Sequence, residues 1–342
     1  KGKLRFTVDV YQKYIKDLLQ KKVKMPTSIG YGNGYEVSYM NSGKMTNKGW
    51  EFRVDAVPFE NRDWRVGFYF NIAHNENKIT EMPDNYTEEN YTFNNGEYAY
   101  RREEGRPMGS FYGYRYKGVC QNKDATYARD ADGNVMKDIS GNAIVMRNGT
   151  ATIAPGDALY EDINHDGVIN QYDIVYLGNS NPRFTGGAGV NVSYKQFKLS
   201  AIFYGRYGQD VVNSTRLNNE SMRGIDNQST AVLRRWRNEG DQTDIPRALY
   251  GEGYNTLGSD RFVEDASYLR LKSLSFNYRL PKKIIQRWGF SNIDVYVTGY
   301  NLFTWTKYTG QDPEVKTENT YARDSATTPA SIQLVAGFNL SF

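Results

Sequence analysis

The last twelve residues, Ser331 to Phe342, read SIQLVAGFNLSF and restrict the fold more than any other stretch. Apolar side chains fall at Ile332, Leu334, Ala336, Phe338, Leu340 and Phe342, while Gln333, Gly337, Asn339 and Ser341 take most of the positions between. Successive side chains of a strand point to opposite faces, so this is a strand with one apolar face and one wet face. The pattern recurs from the start of the chain. Leu4, Phe6, Val8 and Val10 alternate with Arg5, Thr7, Asp9 and Tyr11, and Trp50, Phe52, Val54 and Ala56 alternate with Glu51, Arg53 and Asp55. After a short turn at Glu60 to Asp63, Trp64, Val66, Phe68, Phe70 and Ile72 complete a hairpin.

Further along, Asn95 to Glu103 and the Tyr-dense Gly109 to Val119 read as strands around a turn at Gly105-Arg106-Pro107. Phe184 to Tyr194 and Lys198 to Tyr207 make a hairpin around Lys195-Gln196-Phe197. The stretch Phe262 to Leu280 changes phase, because Leu269 and Leu271 are out of step with Leu274, Phe276, Tyr278 and Leu280. A bulge near Lys272 and Ser273 reconciles them. Pro281 to Ser291 is a turn, and Ile293, Val295 and Val297 run on toward Phe303 and Trp305. The total is about ten strands, with a helical turn at Ala231 to Arg237.

No run of eighteen apolar residues exists, which excludes transmembrane helices. Transmembrane strands stay open, since only every second residue faces lipid and the mean hydropathy of −0.71 averages both faces. A net charge of +4 gives no reason to invoke nucleic acid. Cys120 is the single cysteine, so no disulfide framework or thiolate cluster is available, and it reads as a buried, idle thiol. The chain opens at Lys1 already in strand pattern, and further sequence is expected upstream.

The connections carry the next constraint. Short links at 60 to 63, 105 to 107, 195 to 197 and 281 to 291 alternate with long ones near 13–46, 80–93, 121–181, 209–260 and 308–329. Short turns on the periplasmic side and long loops outside are the habit of outer-membrane barrels, whose last strand commonly ends on Phe. An open sheet cannot sit in lipid, because each unpaired edge amide there costs several kcal/mol. The expected fold is therefore all-β: an antiparallel transmembrane β-barrel whose remaining strands lie upstream, with Phe342 at the periplasmic rim.

Three passages resemble one family. They are Gly105 to Gly113 (GRPMGSFYG), Asp157 to Gly178 with the following Asn181-Pro182-Arg183-Phe184, and Tyr268 to Pro313. With the terminal Phe342 they are similar to SusC/RagA-type TonB-dependent transporters of the Bacteroidota outer membrane. The resemblance implies a plugged barrel of about twenty-two strands, of which this chain supplies roughly the last ten. It also implies TonB-dependent import of oligomeric nutrients, oligosaccharide or oligopeptide, driven by TonB–ExbB–ExbD, with a SusD-like surface lipoprotein as lid. The family's plug, TonB box and N-terminal strands are not in this sequence.

The sharpest local motif is Asp162, Asn164, Asp166, Gly167, Val168, Asn170 and Asp173. Oxygens at loop positions 1, 3 and 5, a Gly at 6, a backbone carbonyl at 7 and a carboxylate at 12 suit Ca2+. Asp in place of Glu at the last position makes the loop resemble a dockerin loop, and a metal-free Asx turn is the other reading. Either way its role is structural. Enzyme chemistry is not expected: His74 and His165 lack partners at a recognisable spacing, and Asp260, Glu264 and Asp265 read as a solvated loop face. Gly186-Gly187-Ala188-Gly189 lies inside a strand and is not followed by a helix, so it reads as close packing rather than a phosphate loop. Trp64, Trp305, Phe303, Tyr194 and Phe342 sit near strand ends, as in interfacial girdles. Tyr69, Tyr204, Tyr296 and Tyr300 fall on the polar phase, facing a lumen where rings pack or meet cargo. Two other readings remain: a soluble calcium-stabilised β-sandwich for binding or adhesion, and a passive porin.

Overall fold

A computed structural model describes residues 3–24, 36–41, 43–82, 96, 98–99, 102–251, 254–315, 317–318 and 321–342. Eight long strands form one sheet: β1 (Leu4–Lys16), β2 (Lys44–Glu60), β3 (Trp64–Glu81), β4 (Phe184–Tyr194), β5 (Phe197–Tyr207), β6 (Tyr268–Arg279), β7 (Asn292–Thr306) and β8 (Gln333–Ser341). Each pairs antiparallel with the next in sequence, so the sheet is a simple meander. The turns obey local chemistry. Asn61 Oδ1 accepts from the amides of Asp63 and Trp64 at 2.9 and 2.8 Å, closing β2 onto β3. Lys195 takes a positive φ of 50°, which the two-residue turn between β4 and β5 requires.

Register sorts the side chains. Leu4, Ala56, Phe68, Val190, Ala201, Leu274, Gly299 and Leu334 form one continuous row across all eight strands. The row is not covered: Phe68 is 37% exposed, Val190 39%, Leu334 76% and Phe338 68%. A sandwich would bury this face under a second sheet, and among the described residues none lies over it. The opposite face is polar, with Asn191 accepting from Ser200 at 2.8 Å and Ser275 paired with Thr298 at 2.8 Å. β4 spans eleven residues from Phe184 to Tyr194. At about 3.3 Å per residue and a tilt of about 40°, that length stands roughly 25 Å tall, the height of a membrane barrel's apolar band.

On the polar face three tyrosines lie over glycines directly across the ladder: Tyr11 over Gly49, Tyr69 over Gly189 and Tyr296 over Gly337. A Cβ at Gly189 would clash with the edge of the Tyr69 ring, so close packing is the reason for glycine there.

Three expectations need correction. Among the described residues the contiguous sheet has eight strands, not ten. Ser110–Gly113 and Tyr116–Val119 replace the strand at 109–119, and they pair elsewhere, with Val175–Asn179 and Ala158–Tyr160. All four residues of Ser110–Gly113 are buried, so both of its faces are covered and alternation could not mark it as non-barrel. Of 95–103, residues 95, 97, 100 and 101 lie outside the description, and Ala99 makes only an isolated bridge to Tyr112. In 13–46, residues 25–35 and 42 lie outside it, yet β1 runs on to Lys16, and Leu19–Lys24 pairs with Glu36–Asn41. Ladder pairing with Lys44–Asn47 of β2, rather than burial, extends β1 there. Residues 83–93 of the connection expected at 80–93 are likewise outside.

The long connections are folded bodies. Of the ten largest fully buried side chains, Tyr112, Phe111, Phe262, Ile169, Leu217, Leu257, Val211 and Val212 all lie in them. One cluster joins Tyr98, Phe111, Val212, Leu217, Phe262 and Tyr321, so segments far apart in sequence share a core. Asp210–Asn213 continues into a helix α1 (Ser214–Asn219), and the turn expected at 231–237 is a 3-10 helix at Thr230–Arg234. These bodies all sit at the strand ends away from the short turns, and together they form a cap.

Candidate functional site

The cap is tied to the wall and to itself by ion pairs. Arg270, on the polar face of β6, has a side chain only 3% exposed. It donates to Thr304 at 2.8 Å, to Glu314 at 2.8 Å and to Asp312 at 2.5 Å, and Lys272 also reaches Glu314 at 2.8 Å. Burial pushes the Asp312 carboxyl up, but the amides of Ala330 and Glu314 and the Arg270 guanidinium outweigh it and hold it below the usual carboxylate range. A second network links Arg216 to Glu220 and Glu264, and Arg261 to Glu220 at 2.8 Å. A third joins Arg247 to Asp157 at 2.7 Å, with Asn255 donating to the same carboxylate. Between 117–122 and 239–244 the cap opens into a polar cleft of about 990 Å3, lined by Lys117, Gln121, Asn122, Gln242 and Asp244 among others.

Asp260, Glu264 and Asp265 are structural in this arrangement. Asp260 accepts from the Tyr116 amide at 2.8 Å, Glu264 from Arg216 and Thr309, and Asp265 from the Ser267 amide. Cys120 is buried, and burial together with nearby Asp157 pushes its thiol up to about 11, which suits an idle role. His74 contacts the Arg183 carbonyl at 2.6 Å, and His165 lies 3.3 Å from the Arg129 carbonyl.

The loop at 162–173 is a tight turn closed by its own backbone. Asp162 accepts from the Gly167 amide at 2.8 Å, Asp166 from Val168 at 2.8 Å, and Gly167 takes the positive φ of 80° that the bend needs. Asp173 is fully buried, and its two oxygens accept from Ile163 and Asn170, each at 2.8 Å. Asn170 caps the 3-10 turn Gln171–Asp173, and Val168 begins a two-residue strand. Among the described residues no group of three acidic, His or Cys side chains converges closely enough to hold a metal ion. In this geometry the twelfth-position carboxylate is committed to backbone amides, and the loop has the hydrogen bonding of an Asx turn.

The aromatic residues fall in two belts. At the short-turn end Trp64 packs on Tyr194 with ring centroids 4.3 Å apart and Phe197 on Tyr278 at 4.6 Å. Phe342 sits against Phe290 at 5.0 Å, and the Ser291 amide donates to Ser341, which ties the closing strand to the preceding turn. At the cap end Trp50, His74, Phe184 and Tyr207 form a chain of rings, with Phe203, Trp305 and Phe303 beyond. On the polar face Tyr69 and Tyr296 are packed over their glycines, Arg206 donates to Tyr204 at 3.2 Å, and Tyr300 is 40% exposed. Sequence reasoning missed Arg270 and the Trp50–His74–Phe184 cluster. A lone basic residue amid Leu269 and Leu271 was the available signal for the first.

No protein-family model matches the chain. It is 31% identical over 328 residues to the TonB-dependent receptor P3 of Formosa agariphila, covering 93% of this chain and 29% of that protein. To the TonB-dependent receptor SusC of Bacteroides thetaiotaomicron it is 25% identical over 351 residues, covering 100% of this chain and 30% of SusC. The solved RagAB peptide transporter superposes with a TM-score of 0.70 at 26% identity, over 99% of this chain and 34% of the transporter chain. The chain thus spans 29–34% of the length of the receptors it matches in sequence.

Proposed function

Because the chain is related along its whole length to part of a SusC/RagA-type TonB-dependent receptor, we propose that it supplies the C-terminal wall and outer cap of a bacterial outer-membrane importer of oligomeric nutrients. The carrying observation is the exposed apolar face about 25 Å tall between two aromatic belts, set against a polar inner face. The short turns then lie in the periplasm and the cap lies outside. A SusD-like lipoprotein closes over the cap, and TonB–ExbB–ExbD supplies the energy through the receptor's plug. Peptide is the cargo named for the RagAB neighbour, so oligopeptide is the first to seek here and oligosaccharide the second. The test is purification of the complete receptor from outer membranes, with mass spectrometry of co-purifying proteins and small molecules. A retained lipoprotein and oligomeric cargo are expected. A receptor found outside the outer membrane would end this reading.

The proposal extends to Ca2+ as a structural ion of the 162–173 loop. Support comes from the oxygen side chains of Asp162, Asn164 and Asp166 at positions 1, 3 and 5 around the Gly167 bend. The expected outcome is calcium bound by the wild type and lost in Asp166→Ala, with faster proteolysis within 121–181. Equal calcium content by elemental analysis would remove the ion from the scheme.

A further inference from the structure

On the polar face, directly below the cap, β5 and β6 set four side chains in a square: Arg206 lies across the ladder from Tyr268, and Tyr204 from Arg270. The bulge residue Lys272 adds a third cation, 5.8 Å from the centre of the Tyr204 ring, and Arg206 stands 6.0 Å from the same ring. Two carboxylates reach this block from the connection after β7. Asp312 binds Arg270, and one oxygen of Glu314 binds both Arg270 and Lys272. Arg206 makes no ion pair among the described residues, so three cations meet two carboxylates and one positive charge is unmatched.

The unmatched groups on this part of the wall are donors. Arg206 uses Nε to donate to the Tyr204 oxygen, and both of its Nη nitrogens lack an acceptor among the described residues. Having accepted that bond, the Tyr204 hydroxyl directs its own proton elsewhere, again with no acceptor among them. Tyr268 is 5% exposed, and its buried hydroxyl has no partner among them either. Thr185 and Gly187 stand opposite Arg206 and Tyr204 on β4, so small side chains leave room beside both.

We propose that this block reads a carboxylate on the cargo path: a carboxylate of the imported oligomer lies against the two Nη nitrogens of Arg206 and accepts from the Tyr204 hydroxyl. The proposal rests on the importer reading, which makes the polar face the lumen wall and this end its outer mouth. A guanidinium end and a carboxylate match fork to fork through two parallel hydrogen bonds. A single unmatched charge suits a singly charged group. Peptide presents one at an acidic or terminal residue and an acidic oligosaccharide at a uronic acid, whereas a neutral oligosaccharide has none.

The experiment takes the complete receptor from outer membranes, releases the cargo it retains, and methyl-esterifies the carboxyl groups of half of that pool. The wild type should rebind the untreated half about tenfold more tightly than the esterified half, the scale of one charged hydrogen bond. Arg206→Gln, which keeps a donor for Tyr204 and loses the charge, should no longer distinguish the halves, and Arg206→Lys should recover part of the difference. Mass spectrometry of the pool tells peptide from uronic acid. Equal rebinding of both halves by the wild type, the result expected if a carboxylate of the plug fills the place, overturns the proposal. So does an Arg206→Gln receptor that migrates as a folded barrel and still prefers the untreated half. A receptor absent from the outer membrane defeats the importer reading, whereas an embedded receptor that retains no oligomer defeats only the carboxylate site.

Discussion

Arg270 shows how one side chain fixes a connection forty residues away. Its guanidinium is nearly sealed, while Asp312 and Glu314 keep side-chain exposures of 16% and 28%. Removing one partner of a buried pair costs about 3–5 kcal/mol, and the partial exposure of the carboxylates places Arg270→Ala near the lower end. The expected readout is hydrogen exchange: protection in 308–315 and 321–330 falls while β6 and β7 stay protected. Equal loss in strand and loop would mean that the residue supports the wall rather than the tie. The pH dependence has a definite sign. A carboxyl lowered in the fold contributes stability that is present above its ordinary pKa and lost as pH falls through its folded value. Asp312 is such a group, so the tie should hold at about pH 5 and loosen only in stronger acid.

At the scale of the element, β6 carries the clearest case of structure legible in sequence. The leucine phase change called for a bulge, and the register skips Lys272 against both neighbours: Ile202 pairs with Ser273 and Phe203 with Leu271, and the ladder to β7 slips at the same place. Lys272 is thus the extra residue, and deleting it leaves Leu271 and Ser273 opposite consecutive residues of β5, with Leu269, Leu271, Leu274 and Phe276 in one regular phase. Deleting Ser275, which pairs regularly on both sides, instead forces a one-residue slip that turns every side chain beyond it to the other face. Retention of the heat-modifiable barrel band is expected for the Lys272 deletion and its loss for the Ser275 deletion; equal behaviour would remove the bulge from its assigned role. The cap was illegible for the opposite reason. Its elements are short and covered on both faces, so no period marks them, and its ties join residues as distant as Asp157 and Arg247, ninety positions apart. The residues of the 162–173 turn were readable because the side-chain hydrogen bonds of Asp162, Asp166 and Asp173 stay within the turn, although spacing alone did not reveal that Asp173 would turn to backbone amides.

Across the whole molecule the two faces of the sheet are built for different solvents. The largest buried side chains sit in the cap, while the sheet leaves Phe68, Val190 and Leu334 open in one row across all its strands. In water such a face would drive aggregation; in lipid it is the surface that holds the protein in place. Val190 and Asn191 are neighbours at mid-strand on opposite faces, so they form a matched pair for testing this. Val190→Arg puts a charge at the depth where hydrocarbon is thickest and should cost about 2–4 kcal/mol of folding into vesicles. Asn191→Arg, on the polar face, should cost less than about 1 kcal/mol, because water and neighbouring polar groups accept the guanidinium. Measured on the complete receptor by denaturant titration in bilayers, the difference between the two is the quantity of interest. Near-equal costs would mean that both faces meet the same environment, and the membrane orientation derived from the register would have to be abandoned.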